Sequence, residues 1–181
     1  MKSETDFINR LLNEKKKDKA FKELLDLYQK RLYWHIRKLV ITHENANDVL
    51  QNTFMKVFKH IDGFKGESKL FSWMYRIATN EALSFLNKKA KHAGTDIQSF
   101  GEQRVENLEA DTYFDGDEIQ LQLQRAIAKL SQKQQLVFNM RYFDALKYED
   151  MSEILETSVG ALKASYHHAR KKIELYFKNE L

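Results

Sequence analysis

The sequence predicts an all-α chain of two small helical domains joined by an acidic linker, and three observations carry that expectation. Its 181 residues include no Pro and only six Gly, so few positions can break a helix. Apolar residues recur three and four apart through most of the chain, the spacing of one helix face. Charge divides the chain in three. Residues 1–93 carry 19 Lys and Arg against 11 Asp and Glu, residues 94–117 one against seven, and residues 118–181 ten against eight. The net therefore runs +8, −6, +2, the profile of two nucleic-acid-facing modules separated by a tether.

Composition narrows the class further. Hydrophobic residues make up 43% of the chain, enough for a packed core. The absence of Cys excludes a disulfide framework and thiolate metal sites, and fits a reducing cytoplasm. The first ten residues, MKSETDFINR, lack the apolar run of a signal peptide, and no later segment approaches a transmembrane span. The expectation is a cytoplasmic protein without membrane insertion.

Residues 4–14 read as a short helix with Phe7, Ile8, Leu11 and Leu12 on its apolar side. After the charged break NEKKKDK, whose Lys15-Lys16-Lys17 cluster reads as solvated loop charge, a longer helix spans about residues 18–40. It repeats Phe21, Leu24, Leu25, Tyr28, Leu32 and Ile36. A third helix, about 45–61, buries Leu50, Phe54, Val57, Phe58 and Ile61. Its other side presents Asp48, Gln51, Asn52 and Met55 at i, i+3, i+4 and i+7. That spacing is equally a solvated face and a docking stripe, in which amides and a methionine surround one carboxylate.

The glycine-bearing segment IDGFKGESK is a loop feeding a fourth helix, about 68–89, with Met74, Ile77, Ala78, Ala82 and Phe85 toward a core. Arg76, Asn80, Ser84 and Lys88 form a polar, basic stripe. Phe64, Phe71, Trp73 and Tyr75 are interleaved with Lys65, Lys69 and Arg76. Such aromatics belong either to a core or to a platform for unstacked bases, where a ring stacks and a cation meets phosphate.

Residues 90–117 lose all periodicity and read as a linker between domains. Helical pattern resumes with Ile119, Leu123, Ile127 and Leu130. Ser131 is positioned to cap a helix bearing Leu136, Val137, Met140 and Phe143. The stretch YEDMSEILETSVGALKASYHHARKK then predicts two helices joined by a tight turn. Tyr148, Met151, Ile154 and Leu155 stripe the first, and Ser158 is a suitable N-cap for the second. In the second, Val159, Leu162, Tyr166, Ala169 and Ile173 face inward. Gly160, Lys163, Ala164, His167 and Lys171 face outward, flanked by His168 and Arg170. A small-residue start followed by cations one and two turns along suits a DNA recognition helix, although a solvated helical hairpin shares the pattern.

No chemistry competes with this. The six His (His35, His43, His60, His92, His167 and His168) are scattered, and the adjacent pair point about 100° apart on a helix. No HExxH, P-loop or carboxylate cluster with metal-ligand spacing occurs, so no catalytic residue, metal or cofactor is expected.

In this order, DVLQNTFMKVFKHIDGFKGESKLFSWMYRIATNEAL and LSQKQQLVFNMRYFDALKYEDMSEILETSVGALKASYHHARKKI resemble bacterial RNA polymerase sigma factors of the small extracytoplasmic-function type. The resemblance covers nearly the whole chain, and the ALKASYHHARKKI form looks like members from Bacteroidetes-type bacteria. It implies that residues 1–93 form a domain for core-polymerase docking and for binding and melting the minus-ten element. Residues 94–117 would be the linker threaded near the polymerase active site, and residues 118–181 a helix-turn-helix domain for the minus-thirty-five element. Asp48, Gln51, Asn52 and Met55 would face a coiled coil of the polymerase's largest subunit. Phe64, Lys65, Gly66, Ser68 and Lys69 would capture a flipped minus-ten base, with Trp73, Arg76 and Asn80 bordering the melted DNA. Gly160, Lys163, Ala164, Ser165, His167 and His168 would read the minus-thirty-five duplex, with Arg170 and Lys171 near phosphates. The C-terminal domain would also meet the flap of the second-largest subunit, and an anti-sigma factor is a further possible partner. Three positions depart from the family pattern: Asn52 stands where many relatives have a carboxylate, Glu156 where the turn usually has Gly, and Ser165 where Arg is common. A stand-alone helix-turn-helix regulator with an N-terminal sensing or dimerising domain is the alternative reading.

Overall fold

Capping residues and backbone signs set the element boundaries. The structure is a computed structural model that describes residues 4–96, 99 and 118–180. Helix α1 spans Glu4–Leu11, α2 Lys17–Val40 and α3 His43–His60, followed by a 3-10 turn at Ile61–Gly63 and α4 at Leu70–His92. Helix α2 stops at Ile41, whose φ of 67° no helix can continue. Thr42 then caps α3, its hydroxyl accepting from the Asn45 amide at 3.4 Å. Lys69 offers α4 no side-chain cap, and the Glu4 carboxylate of α1 supplies one instead, accepting from Leu70 N at 2.9 Å. At the far end Gly94 (φ +68°) ends α4, with the Thr95 amide returning to the Ala90 carbonyl at 3.1 Å.

The C-terminal helices are α5 (Glu118–Ala128), α6 (Gln132–Tyr142), α7 (Tyr148–Leu155) and α8 (Val159–Glu180). Ser131 stands at the N-cap of α6 in extended conformation, but its side chain makes no capping bond. Ser158 does cap α8, accepting from the Ala161 amide at 3.3 Å. The described residues contain no strand, so the all-α expectation holds. The linker expected over residues 94–117 lies outside the described residues apart from 94–96 and 99.

A small core of Ile127, Leu130, Phe138, Ala169 and Ile173 lies wholly within the C-terminal helices. The larger core is shared. Leu24, Ile36, Val57, Met74 and Ala78 of the N-terminal helices belong to one cluster with Val137, Met140, Met151 and Ile154. A tether between the units predicts their separation; instead α7 lies along α4, and α6 touches α2.

Several residues depart from the sequence reading, among them Leu12 and Ile119, which are exposed where the pattern put them on apolar faces. Phe58, expected on the buried seam of α3, is 39% exposed. Among the described residues, Phe21 (ring centroids 4.9 Å apart) and the Lys17 ammonium (4.9 Å from the ring centre) are seated on it, and part of the ring stays open. Lys17, expected as solvated loop charge, also pairs with Asp62 at 2.7 Å.

Candidate nucleic-acid interface

Alternation of buried and exposed positions on α3 builds the first surface. Val49, Leu50, Thr53, Phe54 and Val57 are buried, which turns Asp48, Gln51, Asn52 and Met55 outward, all exposed. Beside them a groove of about 720 Å³ opens between α2 and α3, lined by Phe21, Leu25, Phe54, Met55 and Phe58 among others. Met55, 64% exposed, forms its lip. The groove is nearly all apolar and open on one side, as a docking cleft for another protein requires. Sequence periodicity found the polar stripe but missed Phe58 as part of this surface.

The second surface is the loop after the 3-10 turn together with the outer side of α4. Gly66 takes φ +72° at the loop's apex, which is why glycine stands there. Lys65, Gly66 and Lys69 are exposed, and Ser68 is half-buried. Phe64 is buried to 7%, packed in the main core with its ring 5.2 Å from that of Trp73. As placed, Phe64 is a core residue that supports Trp73 rather than an open stacking face. It is large and apolar, and the turn at Ile61–Gly63 aims it inward. Trp73 is half-buried and Asn80 exposed. Tyr75 and Phe71 pack between α2 and α4, with the Arg31 guanidinium 4.3 Å above the Phe71 ring, so these two aromatics serve packing.

Two of the three cations of this surface, Lys69 and Arg76, are already engaged by the C-terminal unit. Lys69 Nζ donates to Asp150 at 2.5 Å, and this hydrogen bond is the main cause holding the lysine above its ordinary range. Arg76 Nη1 lies 2.8 Å from Glu156 Oε1, while Nη2 donates to the Glu153 carbonyl. Glu156 itself has φ 50°, ψ 40°, so the left-handed turn residue expected to be glycine is here a glutamate under strain. Behind them sits a buried contact that no sequence signal announced. Asp144, just past α6, accepts from His35 Nδ1 at 2.9 Å and from Lys38 Nζ. His35 Nε2 meets Thr79 Oγ1 at 2.9 Å, tying α2, α4 and the α6–α7 loop together. Burial works to raise the Asp144 carboxyl, but the His35 hydrogen bond and the charges of His35 and Lys38 outweigh it and hold it below its ordinary value.

The third surface is α8. Leu162, Ala169 and Ile173 are buried and Tyr166 half-buried, its ring stacked 5.8 Å from Phe138, so Tyr166 is a packing residue. Gly160, Lys163, Ala164, His167, His168, Arg170 and Lys171 are all exposed, and Ser165 is half-buried. Arg170 pairs along the helix with Glu174 at 3.1 Å. The exposed, small-then-basic face of a 22-residue helix has the shape and charge to lie in a duplex groove.

Comparison with known proteins shows the family of the chain. Family models for sigma-70 region 2 and sigma-70 region 4 match residues 24–92 and 120–173. The chain is 28% identical over 173 residues to the ECF RNA polymerase sigma factor SigW of Bacillus subtilis, covering 91% of this chain and 92% of that one. It is 28% identical over 167 residues to the ECF RNA polymerase sigma-E factor of Haemophilus influenzae, covering 86% of each. Among solved structures, the fold resembles the sigma factor RpoE bound to the anti-sigma factor NepR from Bartonella quintana (24% identity, TM-score 0.66, 88% of this chain and 98% of that one). It also resembles CnrH in complex with the cytosolic domain of CnrY (16% identity, TM-score 0.71, 97% of each). With two successive regions of one family in order, and relatives of one kind aligned along most of its length, the chain belongs to the sigma-70 family and is an RNA polymerase sigma factor of the extracytoplasmic-function type.

Proposed function

We infer that this sigma factor binds core RNA polymerase and directs promoter-specific initiation through three separate faces of its helices. The observation that carries this reading is the outward placement of the α3 stripe, the Lys65–Lys69 loop and the basic face of α8 on one chain. Asp48, Gln51, Asn52 and Met55, with the neighbouring groove, take the coiled coil of the polymerase's largest subunit. Lys65, Gly66, Ser68, Lys69, Trp73, Arg76 and Asn80 serve the melted minus-ten strand, with cations on phosphate and Trp73 as the available ring. Gly160, Lys163, Ala164, Ser165, His167 and His168 read the minus-thirty-five duplex, with Arg170 and Lys171 on its phosphates.

The N-terminal unit would be residues 1–93, the linker 94–117 and the C-terminal unit 118–181, whose apolar groove beside Tyr142 and Ile173 suits the flap of the second-largest subunit. The role is non-catalytic and cytoplasmic. No helix among the described residues is long and apolar enough to cross a membrane. The ALKASYHHARKKI form favours a source among Bacteroidetes-type bacteria. An anti-sigma factor is the natural inhibitor, since two structural neighbours were solved with theirs or with a cytosolic partner.

Reconstitution with core polymerase from a matching bacterium, run on genomic templates, tests the reading. Defined transcript starts that appear only with this protein are expected. Tight operator binding by the isolated protein, with no transcript, would instead favour a stand-alone regulator.

A further inference from the structure

We propose that Glu4 of α1 is a positioning residue for promoter opening: its carboxylate fixes the first turn of α4, and with it Lys69 and Trp73. This rests on the reading of Lys69 and Trp73 as minus-ten contacts. The first amides of a helix find no acceptor inside it and need one from outside. In α4 the residue at the cap position, Lys69, supplies none from its side chain. The acceptor comes instead from 66 positions away, where Glu4 Oε1 takes the Leu70 amide at 2.9 Å. A carboxylate there also meets the positive end of the helix dipole. Lys69 and Trp73 belong to the turn so capped, the Trp73 amide donating to the Lys69 carbonyl at 3.1 Å. Residues 64–69, which lead into that turn, carry no helix or strand, and Gly66 among them has φ +72°. The loop's exit is therefore set by the turn it enters, and that turn by Glu4.

Tertiary contacts hold Glu4 in place, since a helix of eight residues does not stand by its own propensity. Leu11 is fully buried, and Phe7 and Ile8 pack on the main core. Arg10 grips Glu23 of α2 through both carboxylate oxygens, at 2.8 and 2.7 Å. Charge alone argues against an acid at this place, because it repels the phosphates that Lys69 would meet. The field of Glu4 does reach this surface. It adds to the Asp150 hydrogen bond in holding Lys69 up, and to burial in raising the Tyr28 phenol. What the position uses is the acceptor oxygen, which an uncharged amide would supply equally. Glu4 and Leu70 do not line the α2–α3 groove, so the cap acts on opening and leaves docking alone.

Full-length Glu4→Ala and Glu4→Gln, each assembled with core polymerase, test this on a promoter fragment recovered from the reconstituted transcription. Core affinity is read by fluorescence anisotropy, and opening by permanganate reactivity of minus-ten thymines. Glu4 is exposed, so both variants should fold. Glu4→Ala should keep its affinity for core while opening falls about fivefold, the factor that one lost helix cap gives in an equilibrium. Glu4→Gln, whose amide oxygen still accepts from Leu70, should open the promoter as the unsubstituted chain does. Three results would overturn the positioning role: undiminished opening by Glu4→Ala, an equal loss of core affinity and opening, or a Gln variant as impaired as the Ala one. In each, a Lys69→Ala/Trp73→Ala chain that opens poorly leaves the minus-ten reading standing. If that double variant opens normally, the minus-ten reading has failed and takes the role of Glu4 with it.

Discussion

His35 Nδ1 lies 2.9 Å from Asp144 Oδ2, joining residues 109 positions apart at the centre of the contact between the two units. Neither side chain is accessible, at 0% and 5% exposure, and Lys38 shares the carboxylate. A buried acid held by two basic groups is costly to leave half-made. Asp144→Asn should destabilise the chain by about 3 kcal/mol at neutral pH, read by chemical denaturation. The Asp144 pKa is depressed in the fold, so its contribution is present above the unfolded value of about 4 and disappears as pH falls through its own lower one. The gap between the two proteins should therefore close on acidification. A gap that stays constant to acid pH would show that the carboxylate's charge is not what matters.

Met55 separates docking from stability. It is 64% exposed at the lip of the α2–α3 groove, so Met55→Glu should change folding stability by no more than about 0.5 kcal/mol. Affinity for core polymerase should fall by about 2 kcal/mol, roughly thirtyfold, because a charge enters an apolar contact. Co-sedimentation or fluorescence anisotropy with core measures it, and undiminished binding would move the docking site elsewhere.

Phe64 gives the opposite pattern. With 7% exposure and its ring against Trp73, Phe64→Ala should cost about 3 kcal/mol of stability. A loss under about 1 kcal/mol in thermal and urea unfolding would mean that the ring spends its time out of the core, free to meet a base.

Lys163 is exposed on α8, with its ammonium 5.7 Å from the centre of the Tyr148 ring. Lys163→Ala should leave the melting temperature nearly unchanged. Holoenzyme affinity for promoter duplex should drop, and where the contact is to phosphate the salt slope should shrink by about 0.9. Unaltered affinity and slope together would remove Lys163 from the interface.

Much of the site was legible in the primary structure because helical periodicity converts directly into sidedness. Burying Val49, Leu50 and Thr53 leaves Asp48, Gln51 and Asn52 no direction but outward, and burying Leu162 and Ala169 does the same for Lys163 and His167. Periodicity failed where a helix ends or a loop turns, since there no repeating face constrains the side chain. Phe58 near the end of α3 stayed partly open for want of a covering element, and Phe64 in the loop was drawn inward. Glu156 was recognisable as a departure at a left-handed position, but its partner was not.

The sequence by itself determined an all-helical chain, its N- and C-terminal units, their sigma-factor character and the outward faces that carry it. The helices and their sidedness follow from spacing of three and four; the sigma-factor character follows from the resemblance of two motif stretches to that family. Only the tertiary structure decided that the units lie against each other, that Asp144 is latched to His35 and Lys38, and that α7 covers Lys69 and Arg76. Such pairings join residues some 80 to 109 positions apart. Charge alone cannot choose among the many acids and bases of one chain; buried apolar packing of Met151 and Ile154 fixes which of them meet.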